Sequence, residues 1–124
     1  MAQPVGIDLG TSNSVVSVFR GDKPQTVPVE GRTTTPSVIS VSPDGRVVVG
    51  DVARRRALIE PACTIAAARR FLGHGETTWR IFGETYTPVD VCALILGRLK
   101  EAAETHLGRP VTEAVIAVPA YSTK

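Results

Sequence analysis

The stretch VGIDLGTSNS at residues 5–14 carries most of the information about the fold. An apolar segment leads into a glycine and three hydrogen-bonding residues, after which a second apolar segment begins. A tight turn at Gly10 allows several backbone N–H groups to point into one concavity, and such a nest favours anions. Thr11, Ser12 and Asn13 add side-chain donors. The pattern therefore predicts a β-hairpin whose turn binds phosphate.

Asp8 lies inside the first apolar segment, just before that turn. A carboxylate at this place could hold Mg²⁺ through water, because Mg²⁺ dehydrates reluctantly. The alternative is an ordinary hairpin turn, since turn propensity alone explains residues 10–13. It does not explain the aspartate, because burying an unpaired carboxylate costs free energy. Neither a Walker loop nor a G-x-G-x-x-G turn occurs, so the expected phosphate site is of the hairpin type.

The first half of the chain reads as a mostly antiparallel meander of short strands rich in Val and Ile. The predicted strands cover residues 5–9, 14–19, 25–29, 37–41 and 47–49. A helix is predicted over 51–60 with Asp51 as its N-cap. A second helical stretch is predicted over 64–73, and residues 74–85 read as a loop or a small hairpin.

The clearest helix signal begins at Thr87, where an N-cap threonine, a proline at the first helical position and Asp90 at the third occur in order. Gly108 is expected to end this helix. Residues 114–118 are almost continuously apolar, which predicts a strand buried on both faces.

Composition is that of an ordinary globular protein. The 124 residues are 43% hydrophobic and 21% charged, with a net charge of +2, so nucleic acid and membranes are not expected partners. Cys63 and Cys92 lie far apart in the sequence, which favours free thiols over a disulfide or a metal site. With no leader-like start and no long apolar run, a cytoplasmic location is expected.

Five blocks of sequence, in order, resemble the seventy-kilodalton heat-shock chaperones of the DnaK type. The blocks are GIDLGT at 6–11, TTPS at 34–37, VG at 49–50, RFLG at 70–73 and VTEAVIAVPAY at 111–121. The resemblance implies the first lobe of an actin-like (ribonuclease H-like) ATPase, an α/β fold in which flanking helices cover a mixed sheet with an antiparallel meander.

The resemblance also implies roles for individual residues. Residues 10–13, namely Gly10, Thr11, Ser12 and Asn13, would contact the terminal phosphates of ATP or ADP, and Asp8 would face magnesium through water. Asp8 and Arg69 would be the catalytic residues. Pro119 would relay the nucleotide state between domains, although the residue by itself reads as a strand terminator.

Three places depart from the family pattern. Arg69 stands where the family has a catalytic lysine, so slower ATP hydrolysis is expected; a plain surface arginine is the alternative. Only residues 74–85 stand where the family usually has a much longer segment. The order of acidic and basic residues over 30–33 also differs from the family pattern, which is expected to disturb a local salt bridge. If that salt bridge is exposed, its loss costs less than about 1 kcal/mol.

The sequence thus predicts the amino-terminal part of an ATP-dependent protein-folding chaperone, a partial nucleotide-binding domain over residues 1–124. Residues 1–50 and 109–124 would form the core sheet, and 51–108 a helical peripheral part. The resemblance places the rest of the nucleotide site beyond residue 124, so this piece alone is expected to be inactive. Partners of the intact protein would be unfolded polypeptides, a J-domain co-chaperone and a nucleotide-exchange factor.

Other functions stay open at this point. One is a nucleotide-binding scaffold or regulator with impaired hydrolysis, which Arg69 and the short 74–85 segment motivate. Another is a sugar or acetate kinase of the same superfamily, against which the 111–121 block argues. An unpaired sheet edge near the last strand also favours self-association of this piece.

Overall fold

A computed structural model describes residues 4–73 and 75–118 of the chain. The strands are β1 (Val5–Leu9), β2 (Asn13–Arg20), β3 (Lys23–Thr26), β4 (Thr35–Pro36), β5 (Val38–Val41), β6 (Val47–Val49), β7 (Thr64–Ala66), β8 (Trp79–Ile81), β9 (Glu84–Tyr86) and β10 (Ala114–Ala117). The α-helices are α1 (Asp51–Arg56) and α2 (Pro88–Leu107), and 3₁₀ helices cover Pro61–Cys63 and Ala68–Phe71.

The main sheet has the order β10-β1-β2-β3, with β4 paired to the start of β2. Strand β10 runs parallel to β1, and the other pairs in this sheet are antiparallel. A second antiparallel sheet has the order β6-β5-β7, and β8 with β9 forms a separate hairpin. The predicted fold class, a mixed sheet with an antiparallel meander and flanking helices, is confirmed.

Helix α2 covers one face of the main sheet. Along β1, Val5, Ile7 and Leu9 are buried, whereas Asp8 is exposed, so successive side chains point to opposite faces. The buried side chains of β1 share one core with the apolar stripe of α2. That stripe consists of Val91, Cys92, Ile95, Leu99 and Ala103. Asp8 therefore lies on the sheet face away from this core.

Helix α2 begins and ends as the sequence predicts. The hydroxyl of Thr87 accepts a hydrogen bond from the amide of Asp90 at 3.0 Å, and the Asp90 carboxylate accepts one from the Thr87 amide at 2.9 Å. This reciprocal capping box satisfies two donors that the helix itself cannot satisfy. Gly108 ends the helix in a left-handed conformation with φ of 72°.

The helix predicted over 51–60 is shorter and begins differently. It ends at Arg56, and its N-cap is Gly50, whose φ of 98° suits glycine. The prediction of Asp51 as N-cap is wrong. Its carboxylate instead pairs with Arg54 at 2.8 Å and Arg55 at 2.6 Å. The short length follows from burial, because the next apolar residues, at 58 and 59, are exposed and have no core to pack against.

The helix predicted over 64–73 is also wrong. Residues 64–66 form β7, in which Ile65 pairs with Ile39 of β5 and is 1% exposed. Ala67 then has a left-handed backbone, with φ of 58°, before the second 3₁₀ helix begins. Burial of Ile65 in the core, on a strand paired with β5, overrides the helix propensity of the alanines, which is a weak local preference.

Two strand predictions need correction. The strand expected over 25–29 is β3, which ends at residue 26, and Val29 instead bridges Arg32 across a tight turn. Strand β10 was predicted to be buried on both faces, but all four of its residues are exposed. Among the described residues β10 is the end strand of its sheet, and none of them forms a layer over it. Self-association through this edge stays a prediction.

Residues 74–85 include a small hairpin, which was one of the two predicted forms. Phe82 and Gly83 connect β8 to β9, and both have positive φ, as a two-residue hairpin turn requires. Trp79 packs edge-on against Phe71, with ring centroids 5.9 Å apart. Over residues 4–73 and 75–118, no helix combines the length and apolarity needed to cross a membrane.

We expect Thr87→Ala to lower the free energy of unfolding by about 1 kcal/mol, because it removes the hydroxyl that caps α2. Urea unfolding of this chain would measure the change. Thr105→Ala, an exposed position within the same helix, is the matched control and should change stability by less than about 0.5 kcal/mol. Equal effects of the two substitutions would contradict the role of the capping box.

Candidate functional site

The turn between β1 and β2 consists of residues 10–13. Leu9 pairs with Ser14 in the antiparallel register, which brings the two ends of the turn together. A Cβ at Gly10 would collide with the backbone carbonyl oxygen of Asn13. Residue 10 must therefore be glycine because of this close approach of backbone to backbone.

The peptide groups of this 10–13 turn have a defined polarity. The carbonyl of Gly10 accepts a hydrogen bond from the Ser37 hydroxyl at 2.9 Å, and the carbonyl of Ser12 accepts one from the Ser37 amide, also at 2.9 Å. Within residues 4–73 and 75–118, the amides of Thr11 and Ser12 donate to no other residue. The turn thus has donors available for an acceptor from outside the described chain, as an anion site needs.

Arg69 reaches this turn from the second 3₁₀ helix. Its Nη2 donates to the Thr11 hydroxyl oxygen at 2.7 Å and its Nε to the same atom at 3.2 Å. A hydroxyl has two acceptor lone pairs and one proton, so two guanidinium donors leave the Thr11 proton to be donated elsewhere. The structure therefore brings together two predicted site residues that are far apart in the sequence, and Arg69 is not a plain surface residue.

The local fold holds Arg69 against the turn. Ala67, in its left-handed conformation, starts the 3₁₀ helix, and Ala68 is 1% exposed beside the core. Helix α2 packs against this 3₁₀ helix and carries Cys92 as a buried free thiol. Burial raises the pKa of the Cys92 thiol, while the positive charge of Arg69 acts in the opposite direction.

Asp8 is next to the turn but is exposed. It pairs with Val15 of β2 and Ala117 of β10, on the sheet face away from α2. The expectation of a buried carboxylate at residue 8 is therefore wrong for the described chain. Among residues 4–73 and 75–118, no group of three or more His, Cys, Asp or Glu side chains could hold a metal ion. Asp8 is one accessible oxygen ligand rather than a complete metal site.

The remaining predicted site residue, Pro119, lies outside the described residues. In contrast, Ser37 contacts the turn, although no local sequence pattern predicts a role for it. The TTPS block supplied it only as part of a resemblance. The signal that could have revealed it is a pair of serines, Ser14 and Ser37, at buried positions of apolar segments, since a buried hydroxyl needs a hydrogen-bond partner.

The described surface also has a groove away from this turn. It has a volume of about 380 Å³ and lies between β6 and α2, where Arg98 and Glu30 approach within 3.7 Å on its wall. Its lining is mainly aliphatic, and the oppositely charged pair offers no excess of donors for an anion. The 10–13 turn is an open surface site. It is the candidate phosphate site because of its hydrogen-bond donors and not because of its depth.

The family model described as Hsp70 protein matches residues 4–78 and 74–124. The chain belongs to the Hsp70 family. The chaperone protein DnaK of Picrophilus torridus is 44% identical over 126 aligned residues, which cover 98% of this chain. The actin-like ATPase fold expected from the resemblance is the fold of this family. The Hsp70-family chain spans about a fifth of the length of that relative, since the alignment covers 20% of it.

The two matches to the Hsp70 model meet at residues 74–78, at the start of the short segment before α2. The alignment with the Picrophilus torridus protein has 126 positions for 98% of a chain of 124 residues, which leaves no room for a long insertion. The short 74–85 segment is therefore shared with that DnaK. Among Hsp70 chains it is not a feature of this one alone.

We expect Gly10→Ala to destabilise the Hsp70-family chain by about 1–3 kcal/mol, because the new methyl group must displace the Asn13 carbonyl from a packed turn. Gly6→Ala is the matched control, since Gly6 lies on β1, the strand that leads into the turn, and a Cβ there meets no atom within 4 Å. Urea unfolding of both variants would measure the difference. Equal stabilities would show that the close approach at residue 10 does not constrain the turn.

Proposed function

We propose that this chain supplies the first phosphate-binding turn in the ATPase of an ATP-dependent protein-folding chaperone. The observation that carries the proposal is the 10–13 turn, whose amides at Thr11 and Ser12 have no acceptor among the described residues. The guanidinium of Arg69 lies against the same turn and adds positive charge. Backbone donors and a fixed cation together suit a polyphosphate. Membership of the Hsp70 family supports the chaperone part of the proposal.

In this proposal Gly10, Thr11, Ser12 and Asn13 contact the terminal phosphates of ATP or ADP. Asp8 holds magnesium through water, for which its exposed carboxylate oxygens are suitable ligands. When bound, the ion would neutralise charge on the phosphates. Further ligands for nucleotide and metal would come from outside the described residues, which contain no group of three or more His, Cys, Asp or Glu side chains that could hold a metal ion.

Arg69 is proposed as a catalytic residue that supports phosphate binding better than hydrolysis. A lysine ammonium is a compact charge with rotatable donors, whereas the planar guanidinium donates to Thr11 through two of its nitrogens. Positioning an attacking water requires a correctly placed donor, and small displacements are costly. We infer slower hydrolysis than a lysine would give. The contact with Thr11 is also the observation that favours the second candidate, a nucleotide-binding scaffold or regulator with impaired hydrolysis.

Further assignments belong to the same proposal. The partners would be unfolded polypeptides, a J-domain co-chaperone and a nucleotide-exchange factor, and Pro119 would relay the nucleotide state in the intact protein. Residues 1–50 with 109–124 would form the core of the nucleotide-binding lobe, and 51–108 its peripheral part. A cytoplasmic location stays a prediction. Family membership favours this set over the sugar or acetate kinase that the sequence left open.

Millimolar MgATP should leave the melting temperature of this chain essentially unchanged. The described residues supply one phosphate turn and one carboxylate, so the Kd should exceed the ligand concentration, and stabilisation by ligand is then negligible. Differential scanning fluorimetry with and without MgATP would measure the shift. An increase of several degrees would show that this chain alone forms a competent nucleotide site.

In the intact protein, Arg69→Lys should raise the single-turnover rate of ATP hydrolysis by about tenfold, which corresponds to about 1.4 kcal/mol in the activation barrier. Arg70→Lys, at an exposed neighbouring position, is the matched control and should leave the rate unchanged. A normal rate that Arg69→Lys does not alter would count against the impaired-hydrolysis hypothesis. Stimulation of turnover by unfolded peptide would separate a chaperone from a scaffold, which should bind nucleotide without that response.

A further inference from the structure

We propose that Ser37 is a positioning residue that sets the direction of the amide groups in the 10–13 turn. The inference rests on the proposed function, because it concerns how that turn presents donors to phosphate. Ser37 is 3% exposed and lies directly after β4, whose residues pair with the start of β2. It contacts the turn through its main chain and its side chain, across 25 and 27 positions of sequence.

Three hydrogen bonds join Ser37 to the hairpin. Its hydroxyl lies 2.9 Å from the Gly10 carbonyl oxygen, and its amide lies 2.9 Å from the Ser12 carbonyl oxygen. Its hydroxyl also lies 2.8 Å from the hydroxyl of Ser14, which is fully buried. Ser37 therefore forms hydrogen bonds with two carbonyl oxygens of the turn, those of Gly10 and Ser12, and with the hydroxyl of Ser14, the first buried side chain of β2.

The directions of these bonds follow from chemistry. A carbonyl oxygen can only accept, so the single hydroxyl proton of Ser37 is donated to Gly10. The Ser14 hydroxyl must then donate to the Ser37 oxygen. The result is a directed chain from Ser14 through Ser37 to Gly10, in which each buried hydroxyl is satisfied.

Holding the carbonyls on one side fixes the amides on the other. In a planar trans peptide the C=O of one residue and the N–H of the next point in opposite directions, and the described residues contain no cis peptide. With the Gly10 carbonyl held by Ser37, the Thr11 amide points away from Ser37. With the Ser12 carbonyl held likewise, the Asn13 amide points the same way. Ser37 thus fixes the direction of the Thr11 amide through its side chain and that of the Asn13 amide through its main chain.

The rival explanation is that Ser37 stabilises the hairpin without directing its amides. The chain offers a matched control for separating the two. Ser40 is also buried, at 1% exposed, but its hydroxyl has no hydrogen-bond partner among the described residues. Ser40→Ala removes the same atom from an equally buried position without touching the turn. Ser14→Ala is a milder variant, since it removes the hydrogen bond between the Ser14 and Ser37 hydroxyls and keeps the bond from Ser37 to the Gly10 carbonyl.

The test measures the Kd for MgATP in the intact protein and, in this chain, the ¹⁵N–¹H resonances of Thr11 and Asn13. Ser37→Ala should weaken MgATP binding by about tenfold, whereas Ser14→Ala should weaken it less and Ser40→Ala should leave it unchanged. The Thr11 resonance should shift in Ser37→Ala, because the hydroxyl that holds the Gly10 carbonyl is lost, and stay in place in Ser40→Ala. The Asn13 resonance should shift less, because the substitution keeps the residue-37 amide that holds the Ser12 carbonyl. If Ser37→Ala does not fold, a weakened Kd in Ser14→Ala with the same shifts supports the proposal.

Different results overturn different claims. An unaltered Kd and an unaltered Thr11 resonance in a folded Ser37→Ala would overturn the positioning role while leaving phosphate binding intact. A lower melting temperature with an unchanged Kd would assign Ser37 to stability alone. Where Ser37→Ala does not fold, a wild-type Kd in Ser14→Ala would overturn the role. Failure of the unaltered intact protein to bind MgATP would instead overturn the proposed function.

Discussion

The close approach of the Asn13 carbonyl to Gly10 is the constraint on which the rest of this structure depends. It closes the hairpin, and the hairpin sets the register in which Leu9 faces Ser14. Because side chains alternate along a strand, that register puts the apolar residues of β1 on the α2 side and Asp8 on the other. This backbone contact thereby places the apolar core and Asp8 on opposite faces of the sheet. It also leaves the 10–13 turn accessible at the end of the sheet.

The site is assembled by segments that are distant in sequence. Arg69 lies on a 3₁₀ helix that packs against α2, and Ser37 directly follows β4. Both residues donate hydrogen bonds to the turn. One donates to a side chain of the turn and the other mainly to its carbonyls, so they act on different atoms and do not compete. The turn is consequently supported by two segments, which allows a short turn of small residues to hold one geometry.

Local signals were sufficient where both the chemistry and the geometry lie within a few residues. The Thr87 capping box and the Gly108 end of α2 are of this kind, because helix ends are satisfied by neighbours in sequence. Prediction failed where a distant partner decided the outcome. Ile65 became part of a strand because Ile39 lies opposite it, and β10 is exposed because the described chain places no layer over it. The Asp51 carboxylate pairs with three arginines instead of capping the helix. The N-cap is the preceding residue, Gly50.

The amino-acid sequence by itself determined the hairpin, its glycine turn, the long helix and membership of the family, because each is encoded by residues close together or by ordered blocks. It also placed Gly10, Thr11, Ser12 and Asn13 in one turn with Asp8 beside them. Only the tertiary structure decided that Arg69 donates to Thr11, that Ser37 holds the carbonyls, and that Asp8 is exposed. Those three facts depend on which segments meet in space, and hydrogen-bond direction and burial have no local signature in the chain.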